Sequence, residues 1–302
     1  MGKFPRFVFC CWFGILAIVS IEAFHFPDKA QLELSDVLNK NCGHSEYEDR
    51  ERPAEGRLQE SPWLVLFFYP DEPDESRTHF CHGTLITPSF VLSTAVCSNN
   101  FDLNRTEVVL GEYDLSTEQD CEGTRCSEPV QKRLVQNVFV HHAFNADTFD
   151  NDIAMVKLDR EVLLTSAVHP ICLPLIKFEI GSVNLPNVYN TLWTTRDRPQ
   201  QFWMKYVELP KCVELVGKQI RLVDGQICAR SFLNRTIDLI GGAGSALEVE
   251  YHNRMYQVAM LSIGILDSPP GVPYVYVDIP RYVRWIHDTI SNNIEQGEEL
   301  DY

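Results

Sequence analysis

Short apolar, β-branched and aromatic runs recur along this chain between clusters of Gly, Pro, Asn and Asp, and that rhythm restricts the fold more than any other feature. The runs lie at residues 64–69, 84–86, 90–93, 134–140, 153–158, 257–263 and 274–277. Many short strands separated by turn signals predict an all-β sandwich or barrel. Only near the end does the period change. There Pro280 precedes Tyr282, Ile286, Thr289 and Ile290 at helical spacing, which predicts a C-terminal helix beginning at the proline.

The flanks and the cysteines place this β domain outside the cell. Lys3 and Arg6 precede a largely apolar run at residues 7–21, followed by the small Ala23. That is the arrangement of a signal peptide over residues 1–23, and the run falls short of the roughly 20 apolar residues of a membrane span. Cys10 and Cys11 lie in this leader, leaving Cys42, Cys81, Cys97, Cys121, Cys126, Cys172, Cys212 and Cys228. An even set in an exported chain predicts a disulfide framework, although the residues alone leave on the order of a hundred pairings open. No Cys-x-x-Cys pair or His–Cys cluster has metal-ligand spacing, so no metal is expected there. With 26 Lys and Arg against 42 Asp and Glu the formal charge is −16, which argues against nucleic acid or an anionic membrane as partner. The reading divides the chain into a leader (1–23), an N-terminal extension (24–56), one β domain (57–290) and an acidic tail (291–302) with little to bury.

Ser61-Pro62-Trp63, Phe80-Cys81-His82-Gly83-Thr84-Leu85-Ile86-Thr87, Asn151-Asp152-Ile153-Ala154, His169-Pro170-Ile171-Cys172-Leu173-Pro174, Ser262-Ile263-Gly264 and Pro273-Tyr274-Val275-Tyr276 form an ordered series. In order and interval it resembles the landmarks of trypsin- and chymotrypsin-like serine proteases, over about residues 42 to 290. Gly111-Glu112-Tyr113-Asp114, followed by Asp120-Cys121-Glu122 and Cys126, is similar to a loop of arthropod haemolymph proteases that carries an extra disulfide. The resemblance implies two six-stranded antiparallel barrels packed face to face, with a C-terminal helix. It also implies the pairs Cys81–Cys97, Cys212–Cys228, Cys42–Cys172 and Cys121–Cys126.

The departures from the family pattern carry the functional reading. The resemblance puts the triad histidine at position 96, the aspartate at 152 and the serine at 243, and the chain has Val96, Asp152 and Ala243. An isopropyl group accepts no proton and a methyl group attacks no carbonyl, so the base and the nucleophile of peptide hydrolysis are both missing. Gly242 stands where the family has an acid that receives the freed N-terminus. Asp49-Arg50-Glu51-Arg52-Pro53 stands where an Arg-Ile-Val-Gly-Gly-like activation site is expected. A cut after Arg50 would free a charged Glu51, which is costly to bury without a counter-charge. The substrate pocket reads as blocked: Leu239 replaces a cysteine, Ile237 aligns with the pocket base and Tyr274 with a glycine of its wall.

These readings converge on a secreted, non-catalytic protease homologue that works by binding. The expected partners are proteases, proenzymes or serpins of an extracellular cascade, with innate immunity of the melanization type the leading role. Alternatives are an inhibitor decoy, a reproductive-fluid binding protein, or a weakly active endopeptidase using Ser245. A clip domain of six cysteines, frequent in such relatives, has no counterpart in residues 24–41. His141 and His142 read as a solvated surface pair, and Asp152 as a buried carboxylate satisfied by Ser262 and backbone N–H groups. Glu112, Glu118 and Glu122 offer oxygen ligands for calcium, but an exposed acidic loop is the simpler expectation. Asn104-Arg105-Thr106 and Asn234-Arg235-Thr236 match the N-glycosylation pattern, with Asn104 and Asn234 as acceptors.

Overall fold

The computed structural model describes residues 34, 37–47, 56–68, 79–99, 101–175, 188–194, 197–216, 220–232, 237, 241–264 and 269–293. The leader, Arg50, Asn234, Leu239 and the acidic tail beyond residue 293 lie outside the described residues. Strands β1 (Leu64–Phe68), β2 (His79–Thr87), β3 (Phe90–Ser93), β4 (Glu107–Leu110), β7 (Gln131–Val140) and β8 (Ala154–Leu158) close a first barrel in the order β1-β2-β3-β8-β7-β4. The second runs β10-β11-β14-β13-β12-β9, from β9 (Val188–Leu192), β10 (Gln200–Val207), β11 (Gln226–Ser231), β12 (Ala246–Tyr251), β13 (Arg254–Ile263) and β14 (Tyr274–Asp278). All barrel pairings are antiparallel. Between β4 and β7 a two-stranded hairpin, β5 (Cys121–Glu122) and β6 (Arg125–Cys126), stands apart.

β1 shows how sequence becomes barrel. All five residues of Leu64–Phe68 are buried because alternate side chains of a strand serve opposite faces. Val65 and Phe67 join the first barrel's core, while Leu64, Leu66 and Phe68 meet Val109 and Trp193 in a separate cluster. Opposite Val65 the neighbouring strand must be slender. Gly83 pairs with it, and a Cβ there would lie 2.5 Å from Val91 Cγ1 and 2.8 Å from Phe67 Cε2.

Among the described residues, helices α1 (Ala95–Ser98), α2 (Leu209–Val216) and α3 (Val283–Asn293) complete the body. Pro280 belongs to a 3₁₀ turn, Ile279–Arg281, that leads into α3. The buried face of this region is Tyr282, Val283, Ile286 and Ile290, which enter the first core. Thr289, expected on that face, is half-exposed and donates to the Trp285 carbonyl at 2.8 Å.

Part of the N-terminal extension is packed, not free. Leu38 is buried in the first core. Asn39 works like a strand residue, its Nδ2 donating to Leu173 O at 2.6 Å and its Oδ1 accepting from Leu173 N at 2.7 Å. Gly43 N donates to Pro170 O, and Gly43 O accepts from Met255 N. The disulfide Cys42–Cys172 fixes the segment; the other bridges are Cys81–Cys97, Cys121–Cys126 and Cys212–Cys228. No helix among the described residues is long and apolar enough to cross a membrane.

Candidate functional site

Where the two barrels meet, three positions singled out in the sequence come together around one carboxylate. Thr94 caps α1, its Oγ1 accepting from Cys97 N at 3.2 Å, and the Cys81–Cys97 bridge ties the turn to β2. This local order aims the Val96 N–H at Asp152 Oδ1, 2.9 Å away. Asp152 Oδ2 accepts from Ser262 Oγ at 2.6 Å. Ser262 can reach it because the β13–β14 register slips between Leu261 and Ile263, turning the intervening residue out of the ladder. Asp152 is fully buried, and that burial pushes its carboxyl above the usual range despite the hydrogen bonds from Ser262, Val96 and Ala95.

Ala243 packs against the first core from the loop before β12. The loop is stitched to β2 by His82, a residue whose role the sequence reading missed. His82 N donates to Ala243 O at 2.8 Å. Its ring Nε2 accepts from Trp193 N at 2.9 Å, so the proton sits on Nδ1, which lies 2.6 Å from Gly241 O. One fully buried neutral imidazole thus joins both barrels and the loop. The next residue, Gly244, has φ +92°. A Cβ there would sit 1.9 Å from His82 O, so only glycine lets the loop approach this closely. Flanking Cys81 and Gly83 mark His82 in the sequence, but its partners are remote in the chain.

Ser245, the alternative nucleophile, is fully buried. Its Oγ accepts from Asn190 Nδ2 at 3.0 Å, and Asn190 Oδ1 accepts from Tyr276 OH at 3.0 Å. The Ser245 hydroxyl thus sits inside a buried polar network and is not presented to solvent. The pocket residues do converge: Tyr274 and Ile237 are both buried, and Tyr274 OH accepts from Ile237 N at 2.8 Å. Burial raises the phenol's pKa, so it stays neutral in the apolar cluster it shares with Ile237, Leu247 and Tyr276.

The acidic loop does not converge on a cation. Glu112 Oε1 accepts from Tyr113 N and Asp114 N at 3.0 Å each, and Asp120 accepts from the same two amides at 2.8 and 3.0 Å. Glu118 is exposed, and Glu122 takes a hydrogen bond from Tyr47 OH at 3.4 Å. Among the described residues no three His, Cys, Asp or Glu side chains are placed to hold a metal ion. His141 stacks on His142 at 4.5 Å and is half-buried against Tyr282 and Trp285, so His142 alone of the pair is exposed. Asn104 is exposed with φ +62°, and the Thr106 of its triplet is buried.

Residues 52–286 match the family model for trypsin. The chain belongs to the trypsin family. This trypsin-family chain is 26% identical over 273 residues to "Serine protease grass" of Drosophila melanogaster, a match covering 84% of this chain and 71% of that one. It is 31% identical to "CLIP domain-containing serine protease HP8" of Bombyx mori (76% and 66% covered) and 28% identical to "Phenoloxidase-activating factor 3" of Holotrichia diomphalia (87% and 76%). The match to "CLIP domain-containing serine protease B9" of Anopheles gambiae, 29% identical, spans 61% of that protein's length. The crystal structure of the Drosophila Grass clip serine protease of the Toll pathway superposes with a TM-score of 0.72 at 24% identity, over 88% of this chain and 78% of the other. That likeness establishes the fold.

Proposed function

We propose that this trypsin-family chain is a secreted, non-catalytic homologue that acts by binding proteins of an extracellular protease cascade. The observation that carries the reading is the carboxylate of Asp152, buried beside an α1 turn whose side chain is Val96 and across from a loop whose side chain is Ala243. A triad aspartate serves to orient an imidazole that activates a serine hydroxyl. Here, among the described residues, it holds the backbone amides of Val96 and Ala95 and the Ser262 hydroxyl. Tyr274 against Ile237 fills the side-chain slot a substrate would need, and Gly242 supplies no acid to receive a new N-terminus.

The cascade assignment is supported by relatives whose names refer to phenoloxidase activation and, for the solved structure, the Toll pathway. Export is supported by the signal-peptide pattern and by four disulfides, which persist in oxidising compartments. Partners on this reading are proteases, proenzymes or serpins, and the chain's role is that of cofactor or modulator in innate immunity.

The test is chemical. Purified protein should turn over no arginyl, aromatic or small-residue peptide substrate and should take up no serine-directed phosphonate. Val96→His with Ala243→Ser should also remain nearly silent because Tyr274 still occupies the slot. Adding Tyr274→Gly to that pair should then raise phosphonate labelling at position 243. Turnover by the natural chain would overturn the reading, and robust hydrolysis by the double variant would show that the oxyanion hole and the pocket at Tyr274 are intact after all.

A further inference from the structure

Among the described residues ten large apolar side chains are exposed, and five of them, Trp203, Leu209, Val213, Leu215 and Phe232, come from one stretch of the second barrel. Isolated exposed apolar residues are ordinary, whereas a group gathered at a concavity marks a binding surface. Leu215 and Phe232 line a groove of about 890 Å³ formed by β10, α2, the end of β11 and residues 269–272. Trp203 meets Phe232 edge-on at 6.1 Å, and Phe232 N donates to Trp203 O at 2.8 Å. α2 turns Cys212 and Val216 inward, the first of them bonded to Cys228, so its exposed residues stand on a fixed support.

The groove's charge is opposite to that of the chain. Among the described residues, Lys205, Lys211 and Arg230 line it with one carboxylate, Glu208, in a protein of 26 basic and 42 acidic residues. Lys211 also pairs with Glu214 at 2.6 Å, both side chains more than half exposed, an arrangement that holds little energy and yields readily to a better acid. We propose that this groove docks an acidic peptide segment of a partner protein, with the cations taking its carboxylates and Leu215 and Phe232 taking its apolar anchors. A second copy of this chain is disfavoured by the −16 charge each copy would bring. The groove shares no residue with the cluster at Val96, Asp152 and Ala243, so the proposal stands apart from whether that cluster is catalytic.

The experiment is fluorescence anisotropy of the full secreted chain with a short labelled peptide alternating Glu with Phe and Leu. Saturable binding is expected, declining as salt rises. Lys205→Glu with Lys211→Glu, and separately Leu215→Ser with Phe232→Ser, should each weaken it about tenfold or more. These sites are exposed, and an unchanged melting temperature shows that each variant is folded. Absence of saturable binding, or binding indifferent to both variants, overturns the proposal. So does equal affinity for heparin or for a Glu/Gly peptide, which would make the groove a general polyanion site. A concentration-dependent dimer abolished by Phe232→Ser would likewise overturn it in favour of self-association.

Discussion

At the scale of single residues, the buried groups at the seam between the barrels answer to hydrogen-bond supply more than to chemistry. Asp152 is held by donors from Val96 and Ser262, and burial raises its pKa. The sign follows from that direction. A carboxyl whose folded pKa lies above its unfolded value adds stability below the unfolded pKa and loses it as pH rises through the folded one. Asp152→Asn keeps one acceptor for the Val96 amide and one donor for the Ser262 oxygen while discarding the buried charge. It should therefore match or exceed the natural chain in urea unfolding at neutral pH, with the gain fading toward acid pH. Asp152→Ala strands the Ser262 hydroxyl and the backbone amides of Val96 and Ala95, and should destabilise by about 1–3 kcal/mol for each donor left unpaired. A large loss in the Asn variant would show that the charge itself is needed. The sequence made Asp152 visible through its Asn-Asp-Ile-Ala setting, and Val96 and Ala243 through the residues around them. It could not reveal His82 as the hub, because Trp193, Gly241 and Ala243 reach it only after both barrels close.

At the scale of elements, legibility followed local pattern. β1, β3 and β14 are short runs bounded by turn signals and were readable as strands. β9 was not, since Val188–Leu192 carries the polar Asn190 and Thr191, which are buried only because β10 and β12 bracket them. The loop from Gly111 to Ser127 was readable as acidic but not as self-satisfied. Burial, and then the neighbouring Asp120 carboxylate, pushes Glu112 up to about 7. A raised folded pKa means that its contribution is complete below the ordinary glutamate value and disappears as pH climbs through about 7. The melting temperature should accordingly fall between mildly acidic and neutral pH, and Glu112→Gln should flatten that part of the profile. Because the loop's carboxylates are taken by amides of Tyr113 and Asp114, EDTA should leave the melting temperature in place. A calcium-dependent rise abolished by Glu112→Gln would contradict this account.

At the scale of the whole molecule, the disulfides, chosen by the closed barrels from the many pairings spacing allowed, decide what a proteolytic cut can do. The charged segment at residues 46–60 carries Arg50 and Arg57 as candidate cleavage sites, and its described ends are anchored to the body. On one side Cys42 is bonded to Cys172 and Tyr47 lies under the Arg57 guanidinium, 3.8 Å from ring centroid to carbon. On the other, Gly56 N donates to Pro199 O, and buried Glu60 accepts from Arg57 N and Nη2 at 2.8 Å each. Arg57 is therefore a clamp whose peptide bond is poorly presented to a protease, while Arg50 lies outside the described residues. We expect cleavage near Arg50 to leave the pieces joined through Cys42–Cys172, with the domain's melting temperature changed little. Its effect would be on partner binding, by releasing the charged segment from its role as a tether, not by inserting a new N-terminus beside Gly242. The comparison is of partner affinity among intact protein, nicked protein and the Arg50→Gln/Arg57→Gln variant, with Cys42→Ser/Cys172→Ser nicked protein as the arm that loses the N-terminal piece. Breaking the bridge should itself cost about 2–4 kcal/mol. Equal affinity and equal cascade activity in all arms would reduce the segment to a solvated linker, and a cut that restored peptidase turnover would overturn the account of the seam as well.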